Sequence, residues 1–267
     1  MGNYDHYEKN HLKIEVKDRV ALITMNRPEK RNAVNPALHE GLENVFQEVG
    51  NDPGVGAIVI TGAGTAFCAG GDFGPQTEQS RGDSSPTSIT RGPKYLVQRL
   101  VNAEAPTIAA VNGPASGLGA TIALLCDVTF MADNARIGDT HVNLGLVAGD
   151  GGAVIWPLLV GPHRAKEYLM AGKYADAAAA EKIGLVNHVV EADKLMGEAM
   201  AYAKQLANGA DAAIRWTKMS INRMVWQNLN LVLEMSLATE GLSVRTEDHK
   251  EAVAAFQQKR RPNFRGA

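Results

Sequence analysis

Residues 106–131 read PTIAAVNGPASGLGATIALLCDVTFM, a stretch whose only charge is Asp127. Thr107 to Val111 is short, apolar and β-branched at its ends, which predicts a buried strand. Asn112 to Ser116 carries the glycine and proline of a loop, a helix is predicted from about Gly117 to Leu125, and Val128 to Met131 reads as the next strand. Strand, loop, helix and strand in this order predict parallel pairing through right-handed crossovers. The same grammar extends toward the N-terminus. Gly56 to Thr61 is another short buried strand, and PALHEGLENVFQEVG (36–50) places Leu38, Leu42, Val45, Phe46 and Val49 at helical spacing behind an Asn35 cap. LKIEVKDRVALITM (12–25) predicts a hairpin turning at Lys17-Asp18-Arg19. The fold class is therefore α/β.

Residues 74–93 are rich in Gly, Ser, Thr and Pro without apolar periodicity, and predict a long surface loop. A helix is expected over 93–103. Beyond Arg164 helices dominate, at 163–171, 176–183, 192–208, 211–224, 228–244 and 247–258, with one short strand near 185–190. Apolar residues of this part, Met219, Met224, Trp226, Leu231, Leu233 and Met235, must pack on the core or on a partner subunit. The organisation expected is a core over 1–200 holding the active site and a helical oligomerisation region over 201–267.

The chain has 267 residues, 45% hydrophobic and 21% charged, with 27 basic and 29 acidic side chains giving a formal charge of -2. One large core fits this length. The balance argues against a nucleic-acid surface, which carries a basic excess. The uncharged run from Ala105 to Cys126 is broken by Pro106, Gly113, Pro114, Gly117 and Gly119, so no membrane span is expected. The polar opening MGNYDHYEKN lacks a leader's apolar segment, and Cys68 and Cys126 read as free thiols of a cytoplasmic protein.

Two loops follow buried strands: Phe67-Cys68-Ala69-Gly70-Gly71-Asp72-Phe73 and Asn112 to Gly119. Small residues at such tips let a ligand approach backbone N–H groups, although tight packing explains glycine there equally well. With MNRPEKRNAVN (25–35), IVITGAGTAFCAGGDF (58–73), GDGG (149–152) and AFQQKRRPNF (255–264), they identify a resemblance that runs nearly end to end. The chain resembles the crotonase superfamily, the enoyl-CoA hydratase/isomerase family. That resemblance implies a spiral of ββα units, a helical C-terminal trimerisation region and trimers that pair into hexamers. It implies a substrate bound as an acyl-coenzyme A thioester, with no permanent cofactor and no metal. The thioester carbonyl would be held by the N–H groups of Gly71 and Leu118. Lys30, Arg31, Cys68, Ala69, Gly71, Asp72 and Phe73 would lie near the coenzyme, and Lys259 matches a lysine that reaches it from a neighbouring subunit. Taken singly, each basic residue reads equally as a solvated charge.

Hydratases of this family use two glutamates, whose positions fall here on Thr121, six residues before Asp127, and His141, fourteen after it. Both carboxylates are replaced. His141, with Asp150 nine residues on, predicts a general base whose far nitrogen an aspartate orients. The plainer alternatives are a structural histidine and an Asp150 that caps the helix opening near Gly151. The His–Asp pair resembles a branch typified by 6-oxocamphor hydrolase, which cleaves carbon–carbon bonds of β-diketones. Glu240 is a further candidate acid, Asp72 a brace for the first loop and Asp139 a residue of the site wall; each also reads as structural. The activity expected is that of a hydratase or isomerase. A retro-Claisen hydrolase of a β-diketone or β-ketoacyl substrate is the alternative, and a non-catalytic coenzyme A or RNA binder a second.

Overall fold

The computed structural model describes residues 2–72 and 86–267, with side chains from residue 92 in the second segment. The hairpin forms as the sequence predicts. β1 (Leu12–Lys17) pairs antiparallel with β2 (Val20–Met25), and the two turn residues Asp18 and Arg19 both take positive φ, the conformation a two-residue hairpin turn needs. Helix α1 (Pro36–Gly50) begins where Asn35 accepts the Leu38 N–H at 2.9 Å.

β3 (Ala57–Gly62) is buried at every position. Such a strand is flanked on both faces, and its Ile58, Val59 and Ile60 each contribute about 1.5–3 kcal/mol of burial. Next comes helix α2 (Pro86–Asn102). The loop expected over 74–93 is thereby corrected at its end, because 86–93 is helical, and its remainder lies outside the described residues. The buried Leu96, Val97, Leu100 and Val101 anchor this helix, and its polar first turns extend from that packed half.

β4 (Thr107–Val111), β5 (Ala115–Ser116), α3 (Leu118–Leu125), β6 (Val128–Ala132) and β7 (Arg136–Gly138) follow. Then come α4 (Gly152–Ala171), β8 (Ala175–Asp176), α5 (Ala177–Lys182) and β9 (His188–Val190). The main sheet has the order β1-β2-β3-β4-β6-β9, parallel from β2 onward. A second sheet, β5-β7-β8, was not expected from the sequence, because its strands are two or three residues long. β4 with β5, and β6 with β7, each send one strand to the main sheet and one to the small sheet. This is the ββα repeat of the spiral.

Helix α6 (Leu195–Ala207) buries Leu195, Ala199, Ala203 and Ala207, one stripe spaced by four, against the main sheet. It passes across residue 200 as one packed unit. The two helices expected over 211–224 and 228–244 are a single one, α7 (Asp211–Ser243). No glycine or proline interrupts the junction, and Asn222 and Trp226 fasten it to α2 through Val101 O at 2.8 Å and Asn102 Oδ1 at 2.9 Å. Helix α8 (Glu247–Gln257) closes the chain. No helix among the described residues is long and apolar enough to cross a membrane.

Candidate active site

The two glycine loops are sewn together by the backbone. Cys68 N donates to Pro114 O at 3.2 Å and Ser116 N to Cys68 O at 2.9 Å. On its other side the first loop is fixed to segment 31–34: Ala69 N donates to Arg31 O, Val34 N to Gly70 O and Asp72 N to Val34 O, at 3.0, 2.8 and 3.0 Å. Among the described residues neither Gly71 N–H nor Leu118 N–H donates to a protein acceptor. Leu118 opens α3, and N–H groups at a helix start have no partner within the helix. The geometry thus leaves two donors on adjoining loops.

The second loop is also tied to the end of β7, where Gly117 N donates to Gly138 O at 3.0 Å. From there the chain enters Asp139 and the 3-10 turn His141–Leu144. Both ring nitrogens of His141 face carboxylates. Nδ1 lies 2.6 Å from Asp139 Oδ1 and Nε2 lies 3.3 Å from Asp150 Oδ2. The other oxygen of Asp150 accepts the Thr121 hydroxyl at 3.1 Å. Asp150 is therefore no helix cap: Gly151 occupies that position and no side chain caps α4. Its carboxylate lies between Thr121 and His141, the two positions where the resemblance places the hydratases' glutamates.

Burial opposes a charge on His141, but the carboxylates of Asp139 and Asp150 outweigh it by charge and hydrogen bond, holding the imidazole pKa well above 6.5. Burial would likewise raise Asp150, yet the His141 charge and the bonds from His141 and Thr121 keep it below 3.8. Both contacts favour the protonated form of the ring. The general base expected from the sequence thus has two acidic neighbours, Asp139 as well as Asp150.

Asp139, His141 and Asp150 also offer ligand atoms within 4.8 Å of one another. Nδ1 and Oδ1 stand at hydrogen-bond distance, 2.6 Å, and Nε2 faces Asp150, so each ring nitrogen has a carboxylate partner within the group.

Glu240, on α7, packs its carboxylate against Gly149: a Cβ at that glycine would lie 2.5 Å from Glu240 Oε2. Ser236 Oγ secures the same place by donating to Gly149 O at 2.9 Å. The candidate acid thus stands one residue from Asp150. Lys30 and Arg31 are exposed at the end of the 3-10 turn Pro28–Lys30, and Ala69 is exposed beside them in the first loop. Cys68 is buried, and burial pushes its thiol up to about 12, so it is a neutral packing group whose Sγ meets Asn32 O at 3.2 Å. Asp72 braces the loop through buried Arg27, whose guanidinium reaches Asp72 Oδ2 at 3.2 Å. Lys259 is exposed beyond α8, and Phe73 lies outside the described residues.

Sequence reasoning quoted Arg27 and Asn32 only within the motif 25–35 and gave neither a role of its own. The Asn32 carboxamide accepts Arg27 N and donates to Ala63 O and Ala66 O, holding segment 27–34 against the first loop. Its signal was the uncharged amide that directly follows Arg31 in RPEKRNAVN.

The model of the enoyl-CoA hydratase/isomerase family matches residues 15–267. The chain belongs to the enoyl-CoA hydratase/isomerase family. Among its relatives, a probable enoyl-CoA hydratase of Mycobacterium bovis is 36% identical over 255 residues, covering 94% of this chain and 96% of that protein. The short-chain-enoyl-CoA hydratase of Clostridium acetobutylicum is 36% identical, covering 95% and 97%. A crystal structure of an enoyl-CoA hydratase/isomerase from Mycobacterium paratuberculosis superposes with a TM-score of 0.87 at 38% identity, covering 92% of this chain and 98% of that one. This member of the family is an enzyme with the crotonase fold.

Proposed function

We propose that the protein hydrates or isomerises an enoyl group carried on a coenzyme A thioester, using one His141–Asp150 centre where hydratases use two glutamates. The observation that carries this reading is the Asp150 carboxylate, which bridges Thr121 and His141. Gly71 and Leu118 N–H would hold the thioester oxygen and stabilise the enolate that forms; one such donor is worth about 2.7–4 kcal/mol. In hydration, the attacking water bonds to the β-carbon and yields its proton to Asp150, while His141 Nε2 gives its proton to the α-carbon. The proton then passes from Asp150 Oδ2 to Nε2 across their 3.3 Å contact, which restores the resting state. Glu240, beside Gly149, is the remaining candidate acid.

Coenzyme A enters as part of the substrate, and Lys30, Arg31, Ala69 and a neighbouring subunit's Lys259 supply its contacts. The relatives' names, short-chain-enoyl-CoA hydratase among them, support a thioester substrate. Two buried, unbridged thiols support a cytoplasmic setting.

The second reading is a retro-Claisen hydrolase of a β-diketone, favoured by the same His–Asp contact. Assays on crotonyl-CoA and on a cyclic β-diketone separate the two, and turnover of the diketone alone would replace the first reading. His141→Ala is expected to abolish turnover of crotonyl-CoA, a loss of about 10²–10⁴-fold for an acid–base group, while acetoacetyl-CoA binds within a few-fold. Full activity in that variant would reject His141.

A further inference from the structure

Asp150 is the aspartate that sequence spacing pairs with His141, yet Asp139 makes the closer contact. Its Oδ1 lies 2.6 Å from Nδ1, against 3.3 Å between Nε2 and Asp150, and also accepts the His141 backbone N–H at 3.2 Å. Asp139 is 2% exposed and directly follows β7, which the second loop fastens through Gly117 N. Its Oδ2 has no partner among the described residues and fills the space where a Cβ of Gly152 would stand, 2.0 Å away. Gly152 is the first residue of α4, whose first segment runs to the break at Gly161, and this end favours negative charge. The carboxylate is thus held on one side by a helix start and committed on the other to one ring nitrogen.

We infer that Asp139 is the positioning residue of this site: it takes the Nδ1–H of His141, fixes the ring plane, and leaves the Nε2 proton as the one traded with Asp150. The inference rests on the reading of His141 as the proton-transfer group. Asp150 is then the carboxylate left to act on substrate, while Asp139 stays on Nδ1. Among the described residues, further titratable groups near the pair come from four elements. Glu240 on α7 stands against Gly149; His249 on α8 is turned away, its Nδ1 on Leu144 O at 2.7 Å; Cys68 is neutral; His39 on α1 is paired with Glu43 at 2.8 Å. Among the described residues the carboxylate on Nδ1 is that of Asp139.

The test is a titration of histidine-labelled protein by nitrogen NMR, with His141→Gln identifying the signal. In wild type the ring should stay protonated at least about one pH unit above an ordinary histidine. In Asp139→Asn the midpoint should fall by about one unit or more, with kcat on crotonyl-CoA down about a hundredfold, KM within a few-fold, and the alkaline limb of the rate profile displaced downward. Gly152→Ala provides a second variant, because its methyl needs the space of Oδ2, and the same downward shift is expected. A wild-type ring that titrates as an ordinary histidine overturns the inference, as does a signal unmoved in the substituted proteins. Full turnover of crotonyl-CoA by His141→Gln would instead defeat the proposed function and leave the Asp139–His141 coupling standing.

Discussion

At the scale of single residues, the site sets two carboxylates against burial in favouring a charge on His141. His141 has 11% of its side chain exposed and lies between carboxylates on both nitrogens. A ring whose pKa rises on folding contributes stability that is complete below its unfolded value of 6.5 and is lost as the pH climbs through the folded value. Asp150 behaves in the opposite sense: its contribution is complete above 3.8 and fades as the pH falls through its lowered value. The ion group is therefore fully stabilising between those two unfolded values. His141→Gln leaves carboxylates buried without their cation, and should cost about 3–5 kcal/mol in urea unfolding at about pH 5.5, with a smaller cost at about pH 9. A cost that is equal or larger at the alkaline pH would show that the ring is neutral in the folded protein.

At the scale of elements, α4 combines a start that shapes the site with a break that does not. Gly161 has φ 78 and ψ 157 inside its span, with Pro162 following, and no atom lies within 4 Å of where its Cβ would be. Space is therefore no obstacle to a side chain there, and backbone strain is. Gly161→Ala should lower stability by about 1–3 kcal/mol in urea unfolding, with turnover of crotonyl-CoA near wild type because the break lies a helix half-length from Asp150. An unchanged midpoint would mean that the backbone relaxes out of the left-handed region at no cost. The sequence was legible wherever local chemistry and packing agree. Asn35 ahead of Pro36 located α1, the run at 57–62 announced a strand buried on both faces, and Asp18-Arg19 marked the hairpin turn. It was less legible where tertiary packing decides. Nothing local separates a polar loop from the polar first turns of α2, and only the seat of Asn222 and Trp226 on α2 makes α7 continuous. In the site, nine-residue spacing pointed to Asp150. The tighter partner, Asp139, sits two residues from His141, a separation at which side chains usually diverge unless a turn such as 141–144 redirects the chain.

At the scale of the whole molecule, α7 leaves Trp216, Met219, Met224, Leu231, Met235 and Leu242 exposed, Leu231 at 78% and Met235 at 68%. A net charge of -2 offers little repulsion between copies. Such apolar area supports the homotrimer, or pair of trimers, that the family resemblance implies. Light scattering should return three or six times 28.5 kDa, and the double substitution Leu231→Glu with Met235→Glu should shift the mass toward one chain. A wild-type monomer would reject the assembly. The basic tail makes the consequence for binding testable, since a chain of near-zero net charge must attract an anionic coenzyme locally. If Lys259 serves a neighbour's site, Lys259→Ala should raise KM for crotonyl-CoA about tenfold, the effect of roughly 1.4 kcal/mol. Dissociation would remove the same contact. The two changes must then fail to add: in the dissociated protein Lys259→Ala should leave KM where the dissociating pair put it. Additive effects would instead assign the Lys259 contact to its own chain's site, whatever the assembly.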